Sequence, residues 1–431
     1  MSDLSPDATP ITIEYSPDGS VWSPVATSIA NSGTYSWTVP SSNLPTAQLR
    51  FTAVDKLGNT ANVVRTFVID STNPSVAADA ILTPNGGEYL KGSTGTGILI
   101  TWNPAKASDT NLGSTPITLS YSTNGSTWTV IASSLANTGS YLWTGIPALN
   151  TATVRAKITA TDLAGNLSAD TSDADFTVDS TLPNIAVNTP PTPPNNSYIS
   201  AGGFDIQAQG SDTNLSKISY AFDDGTLYWN ESTTGWLGIP QWNDICVNAA
   251  TCATANYTVV PTLTDGHIYH LLLRVTDLAG NTRDSSTYTY TADLVAPNIT
   301  TTLTPDAYFS GSVNIAGTSS DARSGVSSAK ISILRESDNA YWSGVGGFAG
   351  TTPITLSTAT SNTYTNWSYT GFSMPAGDLD GTSYIVTRSA TDNAYKSNNT
   401  GTGITRILKD STGPIIAANV WVNPASTAFW K

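Results

Sequence analysis

Aspartates recur at matching positions along the chain, and they are the residues whose spacing best suits chemistry. One lies in each of four related heptapeptides: AVDKLGN (53–59), ATDLAGN (160–166), VTDLAGN (275–281) and ATDNAYK (390–396). Others lie in the segments ASDTN, GSDTN and SSDAR and in the linkers DSTNP, DSTLP and DLVAP. Ca²⁺ prefers oxygen ligands, so aspartates that converge in the folded chain would form a cation site.

The rest of the sequence offers little for catalysis. His267 and His270 are the only histidines, and residues at i and i+3 of a strand face opposite sides of the sheet. The pairs Asp223-Asp224 and Asp378/Asp380 adjoin glycine and are typical of turns, although a glycosidase pairing across a cleft stays open. The sequence has no nucleophile elbow, phosphate loop or CxxC pair. We therefore predict no catalytic residues and no enzymatic activity.

The two cysteines and a group of tryptophans fall within one stretch, residues 229–258. Cys246 and Cys252 lack the two further ligands of a zinc site, which favours a local disulfide; two free thiols are the alternative. Strand-like alternation breaks down in this stretch, which predicts an exposed loop closed by the disulfide. Its aromatic side chains would then be available to a surface glycan or a protein ligand, the candidate contacts being Trp229, Trp236 and Trp242.

A repeat of about 110 residues indicates the elements that must position these side chains. Residues 9–40 parallel residues 115–147, and a similar linker follows each heptapeptide. Within residues 74–183, seven short alternating runs are separated by turn residues, and no segment shows helical spacing. Seven short strands in such a length are typical of an immunoglobulin-like sandwich. The sequence thus predicts an all-β protein, a tandem array of immunoglobulin-like (Ig/FN3-like) β-sandwich domains.

The repeat also predicts where each domain begins and ends. The first period aligns only with the later part of the second, and the final residues align with 74–91. We expect either a segment of a longer protein or a fibre subunit whose tail completes the first domain of the next subunit by strand complementation. The predicted units are an incomplete domain lacking its first strands (1–73), three domains (74–183, 184–297 with the Trp/Cys insertion, and 298–413) and the first strand of a further domain (414–431).

Composition excludes two classes of partner. The formal net charge is −14 with only 18 Lys and Arg residues, and nucleic-acid binding needs a basic patch. The sequence has no apolar run near the roughly 18–20 residues that span a membrane. We predict no nucleic-acid partner and no membrane span in this segment.

The repeated ends of the periods resemble those of a known family. ATDLAGN followed by FTVDSTLP is similar to the TDxAGN…V-D-[ST]-T-x-P ending of bacterial Ig-like repeats in large surface proteins and adhesins. The resemblance covers essentially the whole chain. It departs at Ala394-Tyr395-Lys396, where the glycine is lost, and at Leu294-Val295 in the third linker. It implies a bacterial or archaeal protein exported to the cell surface or the extracellular space.

Immunoglobulin-like topology brings three of the aspartate-bearing segments to one pole of each domain. The turn between the sixth and seventh strands, the loop between the second and third strands and the incoming linker each supply one aspartate. Related adhesin repeats stiffen such junctions with calcium, so the resemblance implies Ca²⁺ as the cofactor; the alternative is that each aspartate only caps its own turn. The predicted groups are Asp70/Asp109/Asp162, Asp179/Asp212/Asp277 and Asp293/Asp321/Asp392.

Together these patterns predict a mechanical role. We expect an adhesin-like stalk or spacer whose partners are the neighbouring Ig-like domains of the same or an identical chain. Four domains in line, each with strands of roughly 35 Å, would reach on the order of 140 Å. The fibre assembled by strand complementation, a carbohydrate- or protein-binding module of a secreted protein and an ancillary region of a secreted hydrolase stay open as alternatives.

Overall fold

The computed structural model describes residues 6–92, 97–187, 194–360, 362–398 and 403–415, which are almost entirely β-strands and turns. The chain divides into two compact units, Met1–Leu182 with Leu278–Asn281 and Pro183–Asp277 with Thr282–Lys431. We describe each unit by itself and number the predicted domains 1 to 4 along the chain. Within the described ranges, neither of the short helices has the length for a membrane span.

Domain 1 is a single antiparallel sheet in the order β2-β1-β3-β4. Ile13, Ala47 and Ile69 are buried on its inner face, where Trp37 contacts Tyr15 with ring centroids 5.2 Å apart. The described residues of this domain form no second sheet over that face. Its strands are β1 (Pro6–Ser16), β2 (Ser23–Ile29), β3 (Leu44–Asp55) and β4 (Thr60–Ile69).

Domain 2 is a sandwich with a larger sheet in the order β11-β10-β13-β15-β7, to which β14 adds by pairing with β13, and a smaller sheet in the order β12-β8-β6. Strands β5 and β9 pair with each other. A 3-10 helix spans Pro104–Lys106. The strands are β5 (Ser75–Val76), β6 (Ile81–Thr83), β7 (Tyr89–Lys91), β8 (Ile98–Trp102), β9 (Ala107–Ser108), β10 (Ile117–Ser122), β11 (Thr129–Leu135), β12 (Ser140–Trp143), β13 (Asn150–Thr161), β14 (Leu167–Thr171) and β15 (Phe176–Asp179).

The core of domain 2 follows from alternation along these strands. In β8, Ile100 and Trp102 are buried while Leu99 is 54% exposed, so successive side chains face opposite sides of the sheet. In β13, Val154, Ala156, Ile158 and Ala160 are buried in the same way. The inward residues of the two sheets form one cluster, which closes the sandwich.

Domain 3 has a three-stranded sheet in the order β16-β18-β23 and a larger sheet in the order β17-β26-β24-β19-β20-β21, with β22 on β19 and β25 on β24. A short helix, α1, spans Ala249–Cys252. The strands are β16 (Asn184–Val187), β17 (Ser197–Ile199), β18 (Phe204–Ser211), β19 (Leu215–Asp223), β20 (Tyr228–Asn230), β21 (Gly235–Leu237), β22 (Asn243–Cys246), β23 (Ala255–Val259), β24 (Ile268–Asp277), β25 (Thr282–Asp284) and β26 (Tyr288–Ala292).

The tryptophan-rich stretch of domain 3 corrects the prediction of an exposed loop. β20, β21 and β22 extend the larger sheet. Trp229 is 3% exposed, and Trp236 packs against Phe222 and donates its indole N–H to the carbonyl of Thr262 at 2.8 Å. Trp242 lies under the guanidinium of Arg274, 4.1 Å from the ring centroid. The prediction is wrong because cross-strand pairing, which is not local in sequence, turns these rings inward or against the sheet.

The two cysteines are bonded to each other. The Cα atoms of Cys246 and Cys252 are 5.4 Å apart, within the usual span of a disulfide. Cys246 ends β22 and Cys252 ends α1, and both side chains are buried in the core of domain 3. The bridge therefore ties the added strands to the sandwich and does not pin a free loop.

Domain 4 repeats the two-sheet plan, with one sheet in the order β27-β29-β35-β34 and another in the order β28-β37-β36-β30-β31-β32, where β33 pairs with β30. Together, the four domains confirm the predicted all-β fold. The predicted strand at 414–431 falls almost wholly outside the described residues. The strands are β27 (Asn298–Ile299), β28 (Ala307–Phe309), β29 (Ser312–Ser320), β30 (Val326–Arg335), β31 (Ala340–Trp342), β32 (Phe348–Ala349), β33 (Leu356–Ser357), β34 (Ala359–Thr360), β35 (Asn366–Ser373), β36 (Ser383–Asp392) and β37 (Ile404–Lys409).

Candidate metal centre at the domain junctions

The ATDLAGN heptapeptide forms the tight turn between β13 and β14. The Oδ1 atom of Asp162 accepts the backbone N–H groups of Ala164 and Asn166, each at 2.9 Å, and its Oδ2 accepts the side-chain amide of Asn166 at 2.8 Å. Gly165 has φ +95°, a conformation that favours glycine. Burial works to raise the pKa of Asp162, yet these hydrogen bonds outweigh it and lower the pKa overall. Asp162 is therefore held as a buried carboxylate.

The linker and the loop after β9 supply the other two aspartates of this junction. Asp70 follows β4 and accepts the N–H of Thr72 at 3.0 Å, and Asp109 follows β9 and accepts the N–H of Asn111 at 2.6 Å. The side-chain amide of Asn111 also donates to Asp70 Oδ2 at 2.6 Å, which joins the loop of domain 2 to the linker from domain 1.

These three carboxylates meet at one point of unit 1. One oxygen each from Asp70, Asp109 and Asp162 lies within 4.8 Å of the others. Oxygens bound to one calcium ion at about 2.4 Å can be at most about 4.8 Å apart, so this spacing suits a common ion. A cleft of about 280 Å³, lined in part by Asp70, Asp109 and Asn111, lies beside the group.

Two asparagines complete the junction, and the sequence prediction missed both as site residues. Asn166, the last residue of the heptapeptide, donates to the backbone carbonyl of Asp70 at 3.0 Å in addition to its bond with Asp162. Asn111 bridges Asp109 and Asp70 in the same manner. Their recurrence in ASDTN, GSDTN and the three AGN or LGN sequences was the available signal. In the fourth heptapeptide Lys396 replaces the terminal asparagine.

A second group of three forms within unit 2, between domains 3 and 4. Asp293, which follows β26, accepts the N–H of Val295 at 3.2 Å with Oδ1 and that of Ser324 in domain 4 at 3.0 Å with Oδ2. Asp321, which follows β29, accepts the N–H of Gly325 at 3.0 Å. One carboxylate oxygen from each of Asp293, Asp321 and Asp392 lies within 4.8 Å of the other two.

Asp392 is the most exceptional of these carboxylates. Its Oδ1 accepts the N–H groups of Ala394 and Lys396, each at 2.8 Å, whereas its Oδ2 is buried without a hydrogen-bond partner. The residue is fully buried. Burial raises the pKa of Asp392, and the nearby charges of Asp293 and Asp321 raise it further. An orphaned, fully buried carboxylate oxygen among like charges is a position that a bound cation would satisfy.

The aspartates of the remaining predicted group come from both compact units, and each is described by itself. Asp179 is buried at the end of β15 and accepts the N–H of Thr181 at 2.8 Å. Asp212 accepts the N–H of Asn214 at 2.7 Å, and Asp277 is buried at the end of β24. Each occupies the same place in its repeat as its counterparts at the other junctions.

The structure joins the two sequence interpretations that were left open. One complete junction lies inside unit 1 and another inside unit 2. At both, every aspartate uses an oxygen to cap its own turn, and the three carboxylates of that junction also converge. Among the described residues none of these six forms an ion pair; the nearby Arg323 instead pairs with Asp265 at 2.9 Å. Three uncompensated carboxylates and their neighbouring carbonyls are the donor set of Ca²⁺. The residues fit calcium, and Asp70, Asp109 and Asp162, or Asp293, Asp321 and Asp392, would hold such an ion.

The raised pKa of Asp392 predicts a pH-dependent calcium response in domain 4. A carboxyl with a raised folded pKa contributes stability below its unfolded pKa near 3.8 and loses it as pH rises through the folded value. Calcium must displace that proton, so its stabilising effect on domain 4 is expected to be smaller at acidic pH than at pH 7. The stabilisation of domain 2, where the pKa of Asp162 is lowered, should be nearly equal at both values. Hydrogen exchange of the two domains with and without calcium measures this; equal pH dependence in both would contradict it.

One comparison with known proteins agrees with the fold of domain 1. Residues 10–71 match the family model of a bacterial Ig-like domain. No curated protein sequence matches the chain.

Several solved structures are similar in part. The tetra-tandem repeat in the extending region of a large adhesion protein is 15% identical, with 95% of this chain and 94% of that chain covered and a TM-score of 0.30. The FN1–FN3 domains of chicken CNTN1 are 15% identical, with 75% and 97% covered and a TM-score of 0.32. A structure of a 1.5-MDa bacterial ice-binding adhesin is 13% identical, with 75% and 92% covered and a TM-score of 0.25. Because these TM-scores are low, the fold assignment depends on the sheets themselves and on the family match. The chain is a tandem array of immunoglobulin-like β-sandwich domains, and residues 10–71 of its first domain match the model of a bacterial Ig-like domain.

Proposed function

We propose that this protein is a structural spacer of an adhesin-like, exported surface protein, and that calcium stiffens its domain junctions. The observation that carries the proposal is the convergence of three carboxylates where one domain's linker meets the next domain, with no ion pair to a cationic side chain in the part of the chain that the structure describes. An ion held there would be bound by residues of two successive domains at once. Relative motion of the domains would then break metal–oxygen bonds.

The geometry of the junction between domains 1 and 2 supports this role. Asp70 belongs to the linker after the last strand of domain 1, whereas Asp109 and Asp162 belong to loops of domain 2. Bonds from Asn111 and Asn166 to Asp70 already join the two sides. Without a cation, mutual repulsion of the carboxylates opposes these bonds. With calcium the same charges hold the junction together.

Other features support export and a non-enzymatic role. The bond between Cys246 and Cys252 suits an oxidising compartment outside the cytoplasm. Neighbouring domains are the partners that this role implies, since the aspartate groups lie where one domain's linker meets the next domain.

The chain contains its own matched control for the test. Asp55 in AVDKLGN makes the same turn bonds as Asp162: to the N–H groups of Leu57 and Asn59, each at 2.8 Å, and to the Asn59 amide at 2.7 Å. Among the described residues, Asp55 belongs to no group of converging acidic side chains. Asp55→Asn and Asp162→Asn therefore disturb the same turn, but only the second removes a proposed calcium ligand.

The experiment measures the distance distribution between spin labels on Lys56→Cys in domain 1 and Ser126→Cys in domain 2, both at exposed positions. Calcium is expected to narrow the distribution, and a chelator to broaden it. Asp162→Asn should abolish the effect of calcium, whereas Asp55→Asn should preserve it. A distribution that calcium leaves unchanged, or that both variants alter equally, would refute calcium-dependent stiffening.

A further inference from the structure

Domain 2 carries an open cleft that lies away from the junction aspartates. The cleft has a volume of about 460 Å³ and is lined by a tryptophan, an ion pair and several small polar residues. Its size is within the range of small-molecule sites in proteins. The lining side chains used below are Trp128, Arg155, Thr171 and Asp175.

Domain 1 has the same hairpin but not the same cleft. SPDGSVW in domain 1 corresponds to STNGSTW in domain 2, and the strand register pairs Ser16 with Gln48 as it pairs Ser122 with Arg155. In domain 1, the Gln48 side chain lies 2.9 Å from where a Cβ on Gly19 would be, so glutamine occupies the space above the turn. At the equivalent Gly125 there is nothing within 4 Å.

The cleft is open because Arg155 is drawn away from the hairpin. Its Nε donates to Asp175 Oδ1, and its Nη1 donates to the carbonyl of Ser172 at 2.6 Å. In domain 1, Gln48 is paired on the neighbouring strand with Thr66. Threonine is uncharged and does not attract the Gln48 side chain away from the hairpin. Domain 1 has Gln48 and Thr66 where domain 2 has Arg155 and Asp175. These two differences leave the space above the hairpin filled in domain 1 and open in domain 2, with an ion pair on one side.

A tryptophan forms the apolar part of the wall. Trp128 is partly exposed and packs on Lys157, whose Nζ is 4.2 Å from the ring centroid, just as Trp22 packs on Arg50 at 4.3 Å in domain 1. The Lys157 ammonium group therefore contacts the Trp128 ring. Among the described residues, the Trp128 indole N–H and the Thr171 hydroxyl have no hydrogen-bond partner, so both can serve a ligand.

These groups define the chemistry of the occupant. Arg155 Nη2 and Asp175 Oδ2 make no hydrogen bond within the ion pair. They place a donor beside an acceptor, which is the arrangement that binds two adjacent hydroxyl groups of a ligand. Their charges cancel, so the ion pair offers no net charge to a ligand, and Lys157 lies against the Trp128 ring. An indole ring beside such a pair suits a ligand with an apolar C–H face and a polar hydroxyl edge. We propose that this cleft of domain 2 binds a neutral saccharide.

The test presents the full chain to an array of neutral, sialylated and sulfated oligosaccharides and then titrates the bound class in solution by calorimetry. Neutral oligosaccharides are expected to bind. Trp128→Ala, which removes the ring, should weaken that binding at least tenfold. Arg155→Gln, which restores the domain 1 residue and refills the cleft, should do the same. Trp22→Ala is the matched control and should leave the affinity unchanged.

Each contrary outcome overturns the proposal. It is wrong if no saccharide binds, if only sialylated or sulfated glycans bind, or if Trp22→Ala weakens binding as much as Trp128→Ala. Thermal melts of all three variants show whether they fold. Should Trp128→Ala unfold domain 2, Arg155→Gln and Asp175→Asn still decide the matter, because both alter the partly exposed ion pair and leave the core untouched.

Discussion

Substituting Asp392 by asparagine is expected to stabilise domain 4 in a chelating buffer and to destabilise it in calcium. Without a cation, Asp392 is fully buried with an unpartnered Oδ2 near Asp293 and Asp321. Asparagine keeps an acceptor for the N–H groups of Ala394 and Lys396 and replaces the orphaned oxygen with a donor toward its acidic neighbours. Relieving one buried unsatisfied group is worth about 1–3 kcal/mol in the free energy of unfolding.

In calcium the sign reverses, because the variant lacks one of three charged ligands. A ligand at one hundred times its dissociation constant stabilises the folded state by about 2.7 kcal/mol, and the variant would lose most of this. Hydrogen exchange of domain 4 in the full chain, with EDTA and with calcium, measures both effects. The matched control is Asp306→Asn, whose partner is Arg406 at the surface of the same domain. A loss of stability for Asp392→Asn in both buffers would show that the carboxylate acts only as a turn cap.

Replacing Trp102 by alanine is expected to produce the largest loss of stability in domain 2, about 3–5 kcal/mol. Trp102 is 2% exposed at the end of β8 and fills the space between the two sheets. Its indole N–H donates to Asn137 Oδ1 at 2.8 Å, and the Asn137 amide bonds the carbonyl of Ala107 at 2.9 Å. The substitution therefore leaves a cavity and removes the donor that anchors this asparagine. A domain is stable by only about 5–15 kcal/mol, so the change is a large part of the total.

The neighbouring Leu99 is the control. It lies on the same strand but on the outer face and is 54% exposed, so Leu99→Ala should change the free energy of unfolding by less than about 0.5 kcal/mol. Amide exchange of β8 and β13 in the full chain reports the stability of domain 2 in each variant. Equal losses for the two substitutions would contradict the inward placement of Trp102.

Much of the fold could be predicted from local pattern. The period-two alternation of TPITIEYS and TPITLSYS predicts half-buried strands, and the Asp-to-Gly spacing of ATDLAGN predicts the turn that Asp162 caps through residues two and four positions ahead. These features need only neighbours along the chain, and the 110-residue repeat shows that they recur as domains. Residues 10–71, which lie in the first period, match the model of a bacterial Ig-like domain.

Tertiary structure decided which side chains are buried and which remain available. Trp229 and Trp128 both follow short polar turns, yet strand pairing across the sheet buries the first and leaves the second partly exposed beside a cleft. The orphaned oxygen of Asp392 depends on what the neighbouring loops bring to it, and the open face at Gly125 depends on a carboxylate 50 positions away at Asp175. Burial and charge pairing depend on contacts between residues that are distant in sequence. The local periodicity of the sequence therefore cannot predict these contacts.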